Sequence, residues 1–218
     1  MKVLVAGAGR LGEQAAHLLA ATGHDVTVIE RDRARLAELP TVHPVRLVHG
    51  DACEPRVLED AGVLNTDLLL AITGEDEDNL VIALLAKRQF AVPRAMARVN
   101  DPDNTWLFDA RWGVDVALPA AASLVSLIEE ASGAADTVGL VRLADAGVTL
   151  IETHLDDHSR AAGQALADLT LPAGTVVATV VHDAQPLVPT GDYRFHPGDT
   201  VLVVTTTATE NDVHEVFQ

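Results

Sequence analysis

Gly7, Gly9 and Gly12, with Ala8, Arg10 and Leu11 between them, fit the pattern G-x-G-x-x-G. The types and spacing suit one task, holding a diphosphate against backbone. Gly7 permits a tight turn, Gly9 leaves no side chain where a phosphate must approach, and Gly12 lets a helix pack close to the preceding strand. Helix N-terminal N–H groups and a partial charge of roughly +0.5 e favour an anion there. The pattern alone is weak, but its setting is right. The apolar run Lys2–Ala6 precedes it, helical periodicity over Arg10–Ala21 follows, and the next strand, Asp25–Glu30, ends in an acid. Glu30 can accept hydrogen bonds from the 2′- and 3′-hydroxyls of an adenosine ribose. A 2′-phosphate about 4 Å from that carboxylate would be repelled by about 4 kcal/mol per unit charge at an effective dielectric near 20. The pattern therefore favours NAD, ADP or ATP over NADP, with Arg31, Arg33 and Arg35 close enough to soften the penalty. A P-loop is excluded, because Glu13-Gln14 stands where Lys and Ser/Thr should follow Gly12.

The elements that must position these residues alternate. Further strands are expected over Pro44–His49, Asp67–Thr73, Arg94–Val99 and Val114–Leu118. Helices are expected over Arg33–Leu39, Glu54–Ala61, Asp76–Phe90 and Asp103–Arg111. Strand-then-helix repetition builds a parallel sheet covered on both faces, and ligands bind beyond the carboxyl ends of its strands. That rule adds Asp51 and Ala52 after the third strand, Thr73 and Gly74 after the fourth, and Arg98 at the end of the fifth. Asp51 could meet an adenine amino group, Thr73-Gly74 a ribose or phosphate, and Arg98 a phosphate. Ordinary turn chemistry is the competing reading for each.

After about residue 119 the rhythm changes. Ala120–Ala131 has an apolar helical stripe, and the small residues 132–135 read as a linker. Strands then follow at Thr137–Leu143, Val148–His154, Thr175–His182 and Thr200–Thr207, with helices at Arg160–Leu169 and Glu210–Phe217. The fold class expected is α/β, a Rossmann-like doubly wound parallel sheet over 1–119, a linker helix over 120–135, and a smaller C-terminal α+β domain over 136–218.

Composition narrows the function. Among 218 residues, Lys+Arg 15 against Asp+Glu 32 gives a net charge of −17, which disfavours a nucleic-acid polymer as partner. Aromatics are 3% of a chain that is 48% hydrophobic, so aliphatic cores are expected and base-stacking platforms are not. The one cysteine, Cys53, excludes a disulfide framework and fits a reducing cytoplasm. No signal peptide is expected ahead of Lys2–Ala6. The longest uncharged run near mid-chain, Val116 to Ile128, contains Pro119 and is too short to span a bilayer.

No catalytic constellation is found. Tyr193, the only tyrosine, has Pro197 four residues on, so a Tyr-x-x-x-Lys proton-transfer pair is absent. His154, Asp156, Asp157 and His158 read as a solvated turn rather than a metal cluster. Glu75-Asp76-Glu77-Asp78 reads as an acidic helix start that offsets the dipole. A small NAD-dependent oxidoreductase remains an alternative, with His49 as its weak proton-transfer candidate.

These residues resemble the Trk/Ktr potassium-uptake regulators, the RCK proteins. The resemblance rests on Gly7–Gly12, Glu30, Gly50-Asp51-Ala52, Thr73-Gly74 ahead of Asn79, and Ala97 to Pro102. In the second half it rests on Gly163–Leu169, Leu187-Val188-Pro189 and Pro197 to Val204. It implies RCK N-terminal and C-terminal domains and a non-enzymatic regulatory subunit, cytoplasmic and peripheral at the inner face of the membrane. Implied cofactors are NAD/NADH or ATP/ADP. Implied partners are a membrane-embedded potassium-translocating subunit, TrkH/KtrB-like, and further copies of the chain, as a homo-dimer assembling into a ring. An RCK-type regulator of another cation transporter is the neighbouring alternative. Carried onto this sequence, Gly7, Ala8, Gly9, Arg10 and Leu11 would hold phosphates, Glu30 the ribose, and Asp51, Ala52, Thr73, Gly74 and Arg98 would complete the site. The striped helix Ala120–Ala131 is a candidate dimer contact. Several relatives bind a divalent cation through Pro-Glu where this chain has Pro119-Ala120, so that cation site is not expected here. Some relatives bind a cyclic dinucleotide in the C-terminal module, but its pocket does not map onto this sequence.

Overall fold

A computed structural model describes residues 1–39, 45–119, 121, 125, 128, 132, 135–143 and 146–218. Two compact units divide the chain, Met1–Ala121 and Ala122–Gln218. The expected helix over 120–131 and the small-residue segment 132–135 fall largely outside the described residues, as does Ala120 of the Pro119-Ala120 pair.

In the first unit the strands are β1 (Lys2–Ala6), β2 (Asp25–Glu30), β3 (Val45–His49), β4 (Leu68–Ala71), β5 (Arg94–Val99) and β6 (Val116–Pro119). They form one sheet in the order β3-β2-β1-β4-β5-β6, and each neighbouring pair is parallel. This is the 3-2-1-4-5-6 order of the doubly wound dinucleotide fold, with its switch point between β1 and β4. The central strands are buried along nearly their whole length, as strands covered on both faces must be. Helices α1 (Arg10–Ala21), α2 (Arg33–Glu38), α3 (Pro55–Asp60) and α4 (Asp76–Arg88) connect them. One cluster, mostly aliphatic with Phe90 and Phe108 and including Leu4, Ile29, Leu69 and Ile82, fills one side of the sheet, and another, including Val3, Val5, Val26 and Val28, fills the other.

The helix expected over Asp103–Arg111 is instead two 3-10 turns, Pro102–Leu107 and Ala110–Trp112. Asp101 accepts from the Asp103 amide and Asp109 from the Arg111 amide. These caps open the two segments, and between them Phe108 (φ −83°, ψ 69°) and the extended Asp109 leave helical geometry, so no continuous α-helix forms.

The second unit is an antiparallel sheet in the order β10-β9-β11-β8-β7. Its strands are β7 (Thr137–Leu143), β8 (Val148–His154), β9 (Thr175–His182), β10 (Gln185–Leu187) and β11 (Thr200–Thr205). Helix α5 (Glu210–Phe217) opens on a capping box between Thr209 and Asp212 and buries Val213 and Phe217. The core here is not purely aliphatic. Phe195 and Phe217 meet edge to face at 5.7 Å between centroids.

The helix expected over Arg160–Leu169 does not form either. Gly163 sits at φ +80°, and the amides of Gly163, Leu166 and Ala167 donate to Phe195, Tyr193 and Gly191. The segment spends its donors on a neighbouring loop, and a single 3-10 turn, Leu166–Asp168, remains.

Candidate functional site

A cleft of about 270 Å³ opens at the carboxyl ends of the parallel strands. Of the residues singled out in the sequence, Gly7, Gly9, Glu30, Asp51, Ala52, Thr73, Gly74 and Arg98 line it. Ala8, Arg10, Leu11 and Gly12 do not. Ala8 and Gly12 are buried beneath the corner, while Arg10 and Leu11 are exposed on the first turn of α1.

The three glycines do different work. Gly7 has φ +104°, and a Cβ there would lie 3.0 Å from the Ile72 carbonyl oxygen. At Gly12 a Cβ would fall 2.0 Å from the Gly7 carbonyl oxygen, so α1 packs on the turn only because no side chain intervenes. Gly9 is the contrary case. Its φ is −64° and a Cβ would meet nothing within 4 Å. The space before Gly9 is therefore open, and it belongs to the cleft. As N-cap of α1, Gly9 supplies no side-chain acceptor, so the first-turn amides lack a cap from the chain itself.

Glu30, buried at the tip of β2, accepts from the Ala8 amide through Oε2 and from the Asp32 amide through Oε1, each at 2.8 Å. The Ala8 amide is thus committed to Glu30. Each carboxylate oxygen keeps a further lone pair for a hydroxyl donor. Asp51 accepts from the Cys53 amide at 2.8 Å, which shapes the turn after β3. Burial, together with Asp78 and Asp51, pushes the Cys53 thiol up to about 12. His49 ends β3 exposed and outside the lining.

The β4 and β5 side is tied together from beneath. Fully buried Asn79 accepts from the Thr73 amide at 2.8 Å and donates to the Arg98 carbonyl at 3.0 Å. Asp76, also buried, accepts from the Asn100 amide (2.7 Å), Asn104 Nδ2 (2.9 Å) and the Asp101 amide (3.1 Å). Burial alone would raise its carboxyl pKa; these donors outweigh that and hold it below the usual carboxylate range. Arg98 itself faces the cleft with its Nε buried and without a hydrogen-bond partner among the described residues. An orphaned guanidinium donor beside an open glycine corner suits a phosphate oxygen.

Asp78 and Ile82 also line the cleft. The sequence reading took Asp78 only as part of an acidic helix start and passed over Ile82. The available signal was their i, i+4 spacing at the start of the helix after the switch-point strand, which sets both on one face. Asp78 pairs with Arg31 at 3.3 Å across the mouth. In the second unit, Asp156 accepts from the His158 amide and from Ser159 Oγ, which shapes the turn at 156–159.

Fold and cleft together define a Rossmann-type doubly wound domain followed by a small antiparallel domain. The TrkA-N domain family matches residues 3–119 and the TrkA-C domain family matches residues 150–218. The chain belongs to the Trk potassium-uptake protein family. It is 42% identical to the Trk system potassium uptake protein TrkA of Mycobacterium tuberculosis, over all of this chain and 98% of that protein. Among solved structures it resembles the GsuK channel, with a TM-score of 0.61 at 16% identity, over 99% of this chain and 39% of that one. The GsuK channel bound to NAD gives a TM-score of 0.59 at 14% identity, over the same shares. Among the described residues no helix is long and apolar enough to cross a membrane.

Proposed function

We propose that the chain is the nucleotide-sensing regulatory subunit of a membrane potassium-uptake system. The ligand is an adenine nucleotide with a free 2′-hydroxyl, NAD/NADH or ATP/ADP. Its phosphates lie over Gly9 toward the first turn of α1 and Arg98, its ribose meets Glu30, and Asp51, Ala52, Thr73 and Gly74 close the floor. The observation that carries this reading is the pairing of an open Gly9 corner with the partnerless Arg98 Nε in one cleft. The 42% identity to a Trk system potassium uptake protein supports the physiological setting, and the NAD-bound GsuK channel supports the ligand class.

The proposed partners are a potassium-translocating membrane subunit and further copies of this chain, as dimers assembled into a ring beneath that subunit. A nucleotide changes transport only by binding two ring shapes unequally, so regulation resides in the affinity difference between competing nucleotides. The chain's role is to bind and transmit, not to transfer hydride.

The test is calorimetry of the purified protein with NADH, NAD, ATP, ADP and NADPH, together with mass spectrometry of any ligand that co-purifies. Saturable binding of at least one nucleotide, with NADPH the weakest of the dinucleotides, is expected. Failure of all five at millimolar concentration would overturn the reading. Capture of a potassium-translocating subunit from detergent-solubilised membranes tests the partner.

A further inference from the structure

A second constellation lies wholly within the C-terminal unit. Strand β9 ends in His182, and the β9–β11 register pairs Val181 with Thr200. That register brings Asp199 beside His182. The loop leading into β11 returns His196 to the same place. The two imidazole rings sit 5.0 Å apart between centroids, and one donor atom from each of His182, His196 and Asp199 lies within 4.8 Å of the others.

The three side chains are not equivalent. Asp199 is fully buried. Its Oδ2 is fixed by Tyr193 Oη at 2.8 Å and the His196 amide at 2.9 Å. Its Oδ1 faces only His182 Nδ1, at 2.6 Å. The His196 imidazole makes no hydrogen bond among the described residues, and its Nδ1 stands 3.9 Å from Asp199 Oδ2. Both imidazoles reach solvent, with side chains 39% and 57% exposed, so an ion has a path in. A hydrogen-bonded staple of the loop would need one histidine. The second imidazole, beside a buried carboxylate but outside hydrogen-bond distance of it, is what a staple leaves unexplained.

We propose that His182, His196 and Asp199 form a binding site for a divalent first-row transition ion of zinc's class. Two imidazoles and one carboxylate suit such ions, whereas magnesium and calcium prefer all-oxygen shells. With metal–ligand bonds of about 2.0–2.2 Å, ligands of a tetrahedral site stand about 3.3 Å apart. The donor atoms here stand within 4.8 Å of one another, the closest pair at 2.6 Å, and the exposed imidazoles can turn to meet that value. The ion takes the place of the proton between His182 Nδ1 and Asp199 Oδ1. The ring binds as the neutral tautomer, with its one proton on Nε2 facing Asp183 Oδ2 at 3.7 Å and its Nδ1 lone pair on the ion, and any second proton leaves to solvent. Tyr193 and the His196 amide hold the carboxylate in place as outer-shell donors. Three protein ligands leave a position open for water or a donor from another molecule. Bound there, the ion ties the end of β9 to the loop before β11.

The test uses the full chain, tag-free and stripped with chelator, titrated with Zn²⁺ against a chromophoric competitor and with Co²⁺ by visible absorption. One equivalent per chain is expected, with Co²⁺ bands of a four- or five-coordinate nitrogen–oxygen site and no intense thiolate band from Cys53. His196→Gln is the primary variant, since that imidazole makes no hydrogen bond whose loss would disturb folding. It should weaken Zn²⁺ binding by about tenfold or more, as loss of one of three protein ligands requires. Its thermal midpoint in chelator should match that of the parent chain. His182→Gln combined with His196→Gln should remove the Co²⁺ bands altogether. Lack of stoichiometric Zn²⁺ binding by the parent chain, undiminished binding by the folded double variant, or a thiolate band would each overturn the site.

Discussion

The Ala8 amide and the Glu30 carboxylate are joined at 2.8 Å beneath the nucleotide corner, so the acid expected to grip a ribose also braces the turn that would carry the phosphates. Glu30→Ala strands the Ala8 and Asp32 amides and should cost about 1–3 kcal/mol of stability. Glu30→Gln keeps the shape and removes the negative charge, leaving one of the two amides without an acceptor. It should narrow the preference for NADH over NADPH by about tenfold, a little over 1 kcal/mol of the repulsion between carboxylate and 2′-phosphate. Calorimetry with both dinucleotides measures it. An unchanged ratio in a folded Glu30→Gln protein would place the ribose elsewhere.

The glycine corner separates binding from folding. Gly9→Ala meets no neighbour and keeps an ordinary backbone conformation, so its thermal midpoint should stay within a degree or two of the parent. A larger residue such as Gly9→Val should fill the corner and weaken nucleotide binding by about a hundredfold, roughly 2.7 kcal/mol. Gly12→Ala is the opposite case. Its methyl would press into the Gly7 carbonyl, and the loss should be about 1–3 kcal/mol or more, read as a lowered urea midpoint before any ligand is added.

Asp76 gives the fold an acid-sensitive joint. Its folded-state pKa lies below the ordinary carboxylate value because three residues donate to the ionised form. The contribution is therefore fully present above the unfolded pKa of about 3.9 and is lost as pH falls through the depressed folded value. Asp76→Asn should lower stability by about 1–3 kcal/mol at neutral pH. The gap from the parent chain should shrink below about pH 4. Urea midpoints from pH 7 downward check this. A gap that stays constant into acid would show that Asp76 acts through shape rather than charge.

Cys53 should be chemically quiet. With its thiol pushed up to about 12, only about one part in ten thousand is thiolate at pH 8. Alkylation by iodoacetamide should be at least about a hundredfold slower in native protein than in urea, where the thiol returns to near 8.5. Equal rates would mean that the turn at Asp51–Cys53 opens freely.

The parallel half of the fold was legible because its strands are apolar runs closed by glycine or acidic turns, such as Leu68–Ala71 ahead of Thr73-Gly74. Most of the cleft lining followed from the rule that ligands sit beyond strand ends. What stayed hidden has specific causes. The stretch 102–112 carries apolar residues at helical spacing, but the chain leaves helical geometry at Phe108 and Asp109 and restarts as a separate short segment. The stretch 160–169 looked helical until Gly163 turned left-handed and its neighbours bonded to Tyr193 and Phe195. The short β10 exists only because it pairs with β9. The His182, His196 and Asp199 group is assembled by antiparallel register, which periodicity does not report. Asn79 was visible as a residue, but its bridge from Thr73 to Arg98 requires three elements to be in place first.

That bridge makes the cleft behave like a vise with one fixed jaw. On the β4–β5 side, buried Asn79 and Asp76 lock helix, strand and loop into a single block. The opposing jaw is latched by a surface ion pair, Arg31 to Asp78, of the kind typically worth about 0–1 kcal/mol. For a guest entering between them, the part that yields is the exposed Arg31 side chain at the mouth, not the block and not the hydrogen-bonded Glu30 behind it.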